Sequence, residues 1–252
     1  MKLLLTNDDG IQAPGLLTLA RVLSAQFEIY VAAPDRERSG AGHSISVFEP
    51  IKVMKADIPS AISAWRVSGT PADCVKLALE ELIGTDIDFV IAGINHGPNL
   101  GTDVYYSGTF AAAAEGVILG CPAIAVSLNS YRPQLSDFEY PAHFILEFLK
   151  KIGTQGLEAH TLLNINAPPG DRESCQGQMV TKLGKRKYSN TFEARKDPRG
   201  QTYYWLGGKL RHFEQEQDSD VYAVQANYIS ITPIRLDITD YKSMEKYRKM
   251  FS

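Results

Sequence analysis

Residues 3–15 read LLLTNDDGIQAPG. An apolar run of strand length breaks at once into Asn, two Asp and Gly, and after Pro14 the chain resumes with the helical pattern GLLTLARVLSAQ. Strand, polar turn and helix in that order form the opening of a βαβ unit. The turn by itself requires no function, because Asn, Asp and Gly are ordinary turn residues whose side chains bond their own backbone. What Asp8 and Asp9 do depends on which other loops join them.

Further along, residues 27–33 (FEIYVAA), 88–94 (DFVIAGI) and 123–128 (AIAVSL) repeat the continuous apolar character of residues 2–5. Such runs suit strands covered on both faces of a parallel sheet. Between them lie helical stretches: PADCVKLALEELI, with a capping-box start at Thr70, Pro71 and Asp73 and a stop at Gly84, then GTFAAAAEGVIL and YPAHFILEFLKKI. LLNINAP reads as another strand, VYAVQANYISITPI as a strand pair, and DYKSMEKYRKMF as a charged terminal helix. The alternation predicts an α/β fold, Rossmann-like and doubly wound, with a mainly parallel sheet and a C-terminal hairpin and helix extension. No repeat, low-complexity tract or linker divides the chain, so residues 1–252 are expected to form one domain. Within it, residues 179–210 are polar, aromatic and basic without helical period, which predicts a hairpin-like arm surplus to the core.

Composition narrows the function. A hydrophobic fraction of 44% with 22% charged residues is ordinary globular usage, and a net charge of -3 gives no general attraction to polyanions. Neither a nucleic acid polymer nor a membrane is an expected partner. The first residues, MKLLLTNDDG, hold too short an apolar run for a signal peptide, so a soluble cytoplasmic protein is expected. Cys74, Cys121 and Cys175 are odd in number and lack any C-x-x-C pair, against a disulfide framework or zinc site. His43, His96, His143, His160 and His212 show no H-E-x-x-H spacing.

In an open parallel sheet, ligands sit beyond the carboxyl ends of the strands, where strand order reverses. Asn7, Asp8 and Asp9 follow the first strand, Ser39 lies in PDRERSGAGHS after the second, and Asn95 lies in AGINHGPN. Three loops meeting there gather two carboxylates with hydroxyl and amide oxygens, a set that suits hard divalent cations such as Mg²⁺, Mn²⁺ or Ca²⁺. Gly10, Gly15, Gly40, Gly42, Gly93, Gly97 and Gly101 are read as letting backbone approach a ligand. Ser107, Gly108 and Thr109 open an alanine-rich helix whose amides favour an anion, here a phosphate. Each feature has a plain alternative: a turn at NDDG, a surface loop at SGAGHS, an N-cap at Ser107, solvated loop histidines at His43 and His96. Lys185, Arg186 and Lys187 read as a solvated charge run, or as a basic patch meeting phosphate from a neighbouring subunit.

Taken in order and spacing, NDDGIQAPGL, APDRERSGAGHSIS, SGTPADCVKLAL, GINHGPNLGTDVYYSGTFAAAAEG, AIAVS, LLNINAP and YISITPI resemble the survival protein SurE family of metal-dependent nucleotidases, from the first residue to about Leu236. The resemblance implies hydrolysis of nucleoside 5′-monophosphates, with 3′-monophosphates and short polyphosphate as further substrates. It implies one divalent metal ion per subunit, Mg²⁺ or Mn²⁺, held by Asp8, Asp9, Ser39 and Asn95. It also implies a homodimer or homotetramer that swaps C-terminal elements. On this reading Asp8 and Asp9 are the catalytic residues, and Asn7, Gly40, Ser107, Gly108 and Thr109 bind phosphate. Attack by water and attack by an aspartate through an acyl-phosphate both remain open. Two other readings use the same cleft: a sensor that binds metal and nucleotide without turnover, and a sugar-nucleotide transferase.

Overall fold

The computed structural model describes residues 1–153, 157–158, 160–189, 191–211 and 214–251. His212 and Asn190, the latter within the expected arm, lie outside them. The chain runs β1 (Lys2–Thr6), α1 (Pro14–Leu23), β2 (Glu28–Pro34), β3 (Val53–Ala56), β4 (Ser63–Val67), α2 (Pro71–Leu77), β5 (Phe89–His96), α3 (Gly108–Ile118), β6 (Ala123–Leu128), α4 (Glu139–Ile152) and β7 (Thr161–Ala167). Then follow β8 (Gln178–Val180), β9 (Tyr188–Ser189), β10 (Phe192–Lys196), β11 (Thr202–Leu206), β12 (Lys209–Leu210), α5 (Asp220–Gln225), β13 (Ile229–Arg235) and α6 (Tyr241–Phe251).

Nine strands form one sheet in the order β3-β4-β2-β1-β5-β6-β7-β13-β8. The six from β4 to β7 run parallel, while β3 and β13 are antiparallel to their inner neighbours. From β1 the chain builds outward to β2 and β4, then returns to place β5 on the other side of β1. This is the doubly wound arrangement, with its crevice between β1 and β5. Alternate side chains of β1 serve different cores: Leu3 and Leu5 pack with α1 and α4, and Leu4 packs with α2 and α3. Burial on both faces is why these strands are apolar without alternation.

Several expectations are corrected. VYAVQ is not a strand but α5, capped by Ser219, whose side chain accepts from the Tyr222 amide. The strands β3 and β4 have no counterpart in the sequence reading. The helix beginning at Pro71 has the expected capping box but widens into a π turn over Ala78–Leu82, ending before Gly84. Gly15 and Gly93 serve packing rather than a ligand: a Cβ on Gly15 would sit 2.0 Å from the Ile94 carbonyl oxygen, and one on Gly93 2.2 Å from that of Val126. Met179 and Val180 belong to β8 at the sheet edge, so the projecting hairpins begin at β9, which pairs with β12 around the β10–β11 ribbon. Arg186 is not a solvated charge: its side chain is 7% exposed and ion-pairs with Asp103 at 3.0 Å.

Candidate active site

The loop after β1 is self-supporting. The Asn7 Nδ2 donates to the Gly10 carbonyl at 2.9 Å and its Oδ1 accepts from the Gly10 amide at 3.2 Å. Both polar atoms of this buried side chain are therefore engaged in shaping the turn that presents Asp8 and Asp9. Gly10 has φ +100°, and a Cβ there would lie 3.2 Å from the Arg36 carbonyl carbon, so the loop after β2 closes directly over it. The Arg38 amide then donates to the Asp8 carbonyl at 2.7 Å, which brings Ser39 to the same edge.

Asp8 is buried against the start of α3. The Thr109 hydroxyl donates to its Oδ1, and a Cβ on Gly108 would stand 2.8 Å from Asp8 Cβ, so only glycine permits this approach. Asp9 accepts from the His96 amide at 3.0 Å, tying β1 to the end of β5. The β5–β6 register shifts between Ala92 and Asn95, a bulge of the kind that re-aims side chains beside active sites. Asn95 then anchors its Nδ2 on the Gly97 carbonyl at 2.7 Å, and its Oδ1 accepts no hydrogen bond among the described residues. Ser39 donates its proton to Glu37 Oε1 at 2.8 Å, leaving oxygen lone pairs available. A Cβ on Gly40 would meet nothing within 4 Å among the described residues, so that position lies open. The Ser107 side chain caps α3, accepting from the Phe110 amide at 3.0 Å.

Electrostatics single out the two aspartates. Burial pushes the Asp8 carboxyl above its ordinary value, against the Thr109 hydrogen bonds that pull it down. Burial, then the negative charge of Asp8, push Asp9 up to about 6. Two adjacent desolvated carboxylates disfavour each other's ionisation, and a cation between them removes that cost. Among the described residues no group of three His, Cys, Asp or Glu side chains could hold a metal. A set of two carboxylates completed by neutral Ser39 and Asn95 oxygens fits a hard cation, since all are oxygen donors and Ser39, while donating its proton to Glu37, keeps its lone pairs.

Sequence reasoning missed the role of Glu37, which adds negative charge near both aspartates. It also missed the Thr109 contact with Asp8, which depends on β1 and α3 meeting across the sheet edge.

The comparisons with known proteins bear on the family. The family described as survival protein SurE matches residues 3–190. The 5'-nucleotidase SurE of Syntrophomonas wolfei is 56% identical over 252 residues, covering 100% of this chain and 95% of that protein. That of Pelotomaculum thermopropionicum is 51% identical, covering 99% and 95%. The crystal structure of the SurE protein from Aquifex aeolicus superposes with a TM-score of 0.86 at 38% identity, over the full length of both chains. With the family match spanning most of the chain and these relatives aligned from end to end, the chain belongs to the SurE family.

Proposed function

We propose that this chain, a nucleotidase of the SurE family, releases phosphate from nucleoside 5′-monophosphates in the crevice between β1 and β5, with a divalent cation held by Asp8, Asp9, Ser39 and Asn95. The observation that carries the reading is the pairing of two desolvated carboxylates at the strand-order switch with the N-terminus of an eleven-residue helix pressed against one of them. A bound Mg²⁺ or Mn²⁺ would supply charge neutralisation at the phosphoryl oxygens and lower the pKa of an attacking water. The amide of Gly108, first in α3, would face a phosphate there and stabilise its developing charge, while Thr109 holds Asp8. Ser107 fixes the direction of that amide by capping the helix, and Gly40 admits the phosphate closely from the β2 side.

The sensor reading is not favoured, because relatives at 47–56% identity carry the name of an enzyme. The protein acts in the cytoplasm on this reading, supported by three free cysteines of which two are buried. Among the described residues no helix is long and apolar enough to cross a membrane.

The test is inorganic phosphate release from AMP. Chelation should abolish it and Mn²⁺ or Mg²⁺ restore it. Asp9→Asn should lower kcat at least about 100-fold while leaving the protein folded, because it removes charge from the crevice and no core packing. Full turnover after exhaustive metal removal would refute the metal site.

A further inference from the structure

A phosphate accounts for only one end of a nucleotide. Beginning at Ser107, an open cleft of about 210 Å³ follows α3 as far as Ile118 and ends at Leu236, just past β13. Residues 107, 111, 114 and 118 recur at helical spacing and so form one stripe. Ala111 and Ala114 make the middle of that stripe a trough, with Phe110 beside them. α3 has eleven residues and rises about 16 Å, so the trough starts at the phosphate turn and extends well past it.

Tyr105 lines the cleft with 69% of its surface exposed, and His43 lines it too. His43 is held in place. Its Nε2 lies 2.9 Å from Oε2 of Glu115, a buried carboxylate on α3 whose other oxygen faces Lys76 Nζ at 3.8 Å. The loop carrying it is tied on both sides: the Gly42 amide donates to the Tyr106 carbonyl at 3.2 Å, and the Ser46 hydroxyl donates to Asp73 at 2.7 Å. With Nε2 committed to Glu115, Nδ1 is the ring atom left to meet a ligand.

An apolar trough with aromatic neighbours and one oriented imidazole suits a flat heterocycle with a polar edge. The volume is below the roughly 300–1,000 Å³ of drug-sized pockets, matching a base with part of its sugar. We propose that this cleft is the nucleoside subsite: the base lies in the Ala111–Ala114 trough against Tyr105 and Phe110, and His43, oriented by Glu115, hydrogen-bonds the nucleoside. This rests on the phosphate standing at the start of α3.

The experiment uses the full chain with Mn²⁺ and two substrates, AMP and glycerol 2-phosphate, which has the ester without a base. Tyr105→Ala removes a stacking surface and Ala114→Leu fills the trough. Each is expected to lower the ratio of kcat/KM for AMP over glycerol 2-phosphate about 10-fold. His43→Ala is expected to raise KM for AMP with kcat little changed. Tyr105 is at the surface, so its variant remains informative if Ala114→Leu fails to fold. An unchanged ratio in the folded variants overturns the subsite. So does a change in oligomeric mass with the ratio intact, which would mean that a second copy covers the cleft. A wild type that uses both substrates equally overturns the subsite while leaving the phosphate site standing; one that releases phosphate from neither overturns the site on which both rest.

Discussion

Ser107 and Thr109 stand two residues apart at the head of α3, and their hydroxyls face different partners. Ser107 accepts from the Phe110 amide, whereas Thr109 donates to the Asp8 carboxylate. Sequence alone makes both of them phosphate ligands of one kind. Nothing in the string YSGT reveals that Gly108 brings Asp8 within van der Waals reach of the helix, because that approach depends on β1 and α3 meeting across the sheet edge. The structure therefore separates their variants. Thr109→Val keeps the side-chain shape and deletes the donor, so Mn²⁺ affinity should fall about 10-fold, in line with the roughly 1.5–3 kcal/mol of a hydrogen bond to a charged group. Ser107→Ala should leave Mn²⁺ affinity intact, lower stability by about 1 kcal/mol through the lost cap, and weaken phosphate. Calorimetric titration of Mn²⁺, then of phosphate at saturating Mn²⁺, checks both; equal Mn²⁺ loss in the two variants would contradict the division.

Among the elements, α2 has a role beyond its seven residues. Asp73 closes the capping box with Thr70 and also receives the Ser46 amide and hydroxyl, so one carboxylate starts the helix and pins the loop after β2. Burial alone would raise the Asp73 carboxyl, but the Ser46 and Thr70 hydrogen bonds outweigh it and hold the group below its ordinary 3.8. A depressed carboxyl contributes stability that is fully present above pH 3.8 and is lost as the pH falls through the lower folded value. Asp73→Asn should therefore cost about 1–2 kcal/mol at pH 7, and the gap from wild type should narrow below pH 3.8. Urea melts at both pH values measure it. The same capping box was legible in sequence because its signal is local. The strands β3 and β4 were not, since β3 is an outer strand bearing exposed Met54 and Lys55, and β4 interrupts its apolar residues with Arg66. In VYAVQ the β-branched and aromatic residues favour a strand, and the Ser219 cap in front of them decides for a helix.

At the scale of the whole molecule, the parallel core and the placement of Asp8, Asp9 and Asn95 at one edge of the sheet followed from apolar runs ending in polar loops, because strand direction alone sends those loops to one edge. The hairpins obey no such rule. Phe192, Tyr204, Trp205 and Leu206 are 58–74% exposed on the β10–β11 ribbon, an apolar surface that the described chain leaves open. Its expected role is contact between subunits. Replacing residues 192–206 with a short Gly-Ser turn should lower the mass seen by light scattering and leave the α/β core folded. An unchanged mass would remove the ribbon from the interface.

Asp220 joins these scales. Its carboxylate accepts from the amides of Gly101 at 2.8 Å, Gly184 at 2.7 Å and Val221 at 2.7 Å, and thereby ties the segment leading to Ser107 to the root of the hairpins. Amides held by one carboxylate lose protection together when that carboxylate swings away. In deuterium-exchange measurements, Gly101 and Gly184 should therefore exchange at matched rates despite their distance in sequence, and Asp220→Ala should accelerate both together. Motion at the root of the hairpins would then set how often the segment leading to Ser107 breathes.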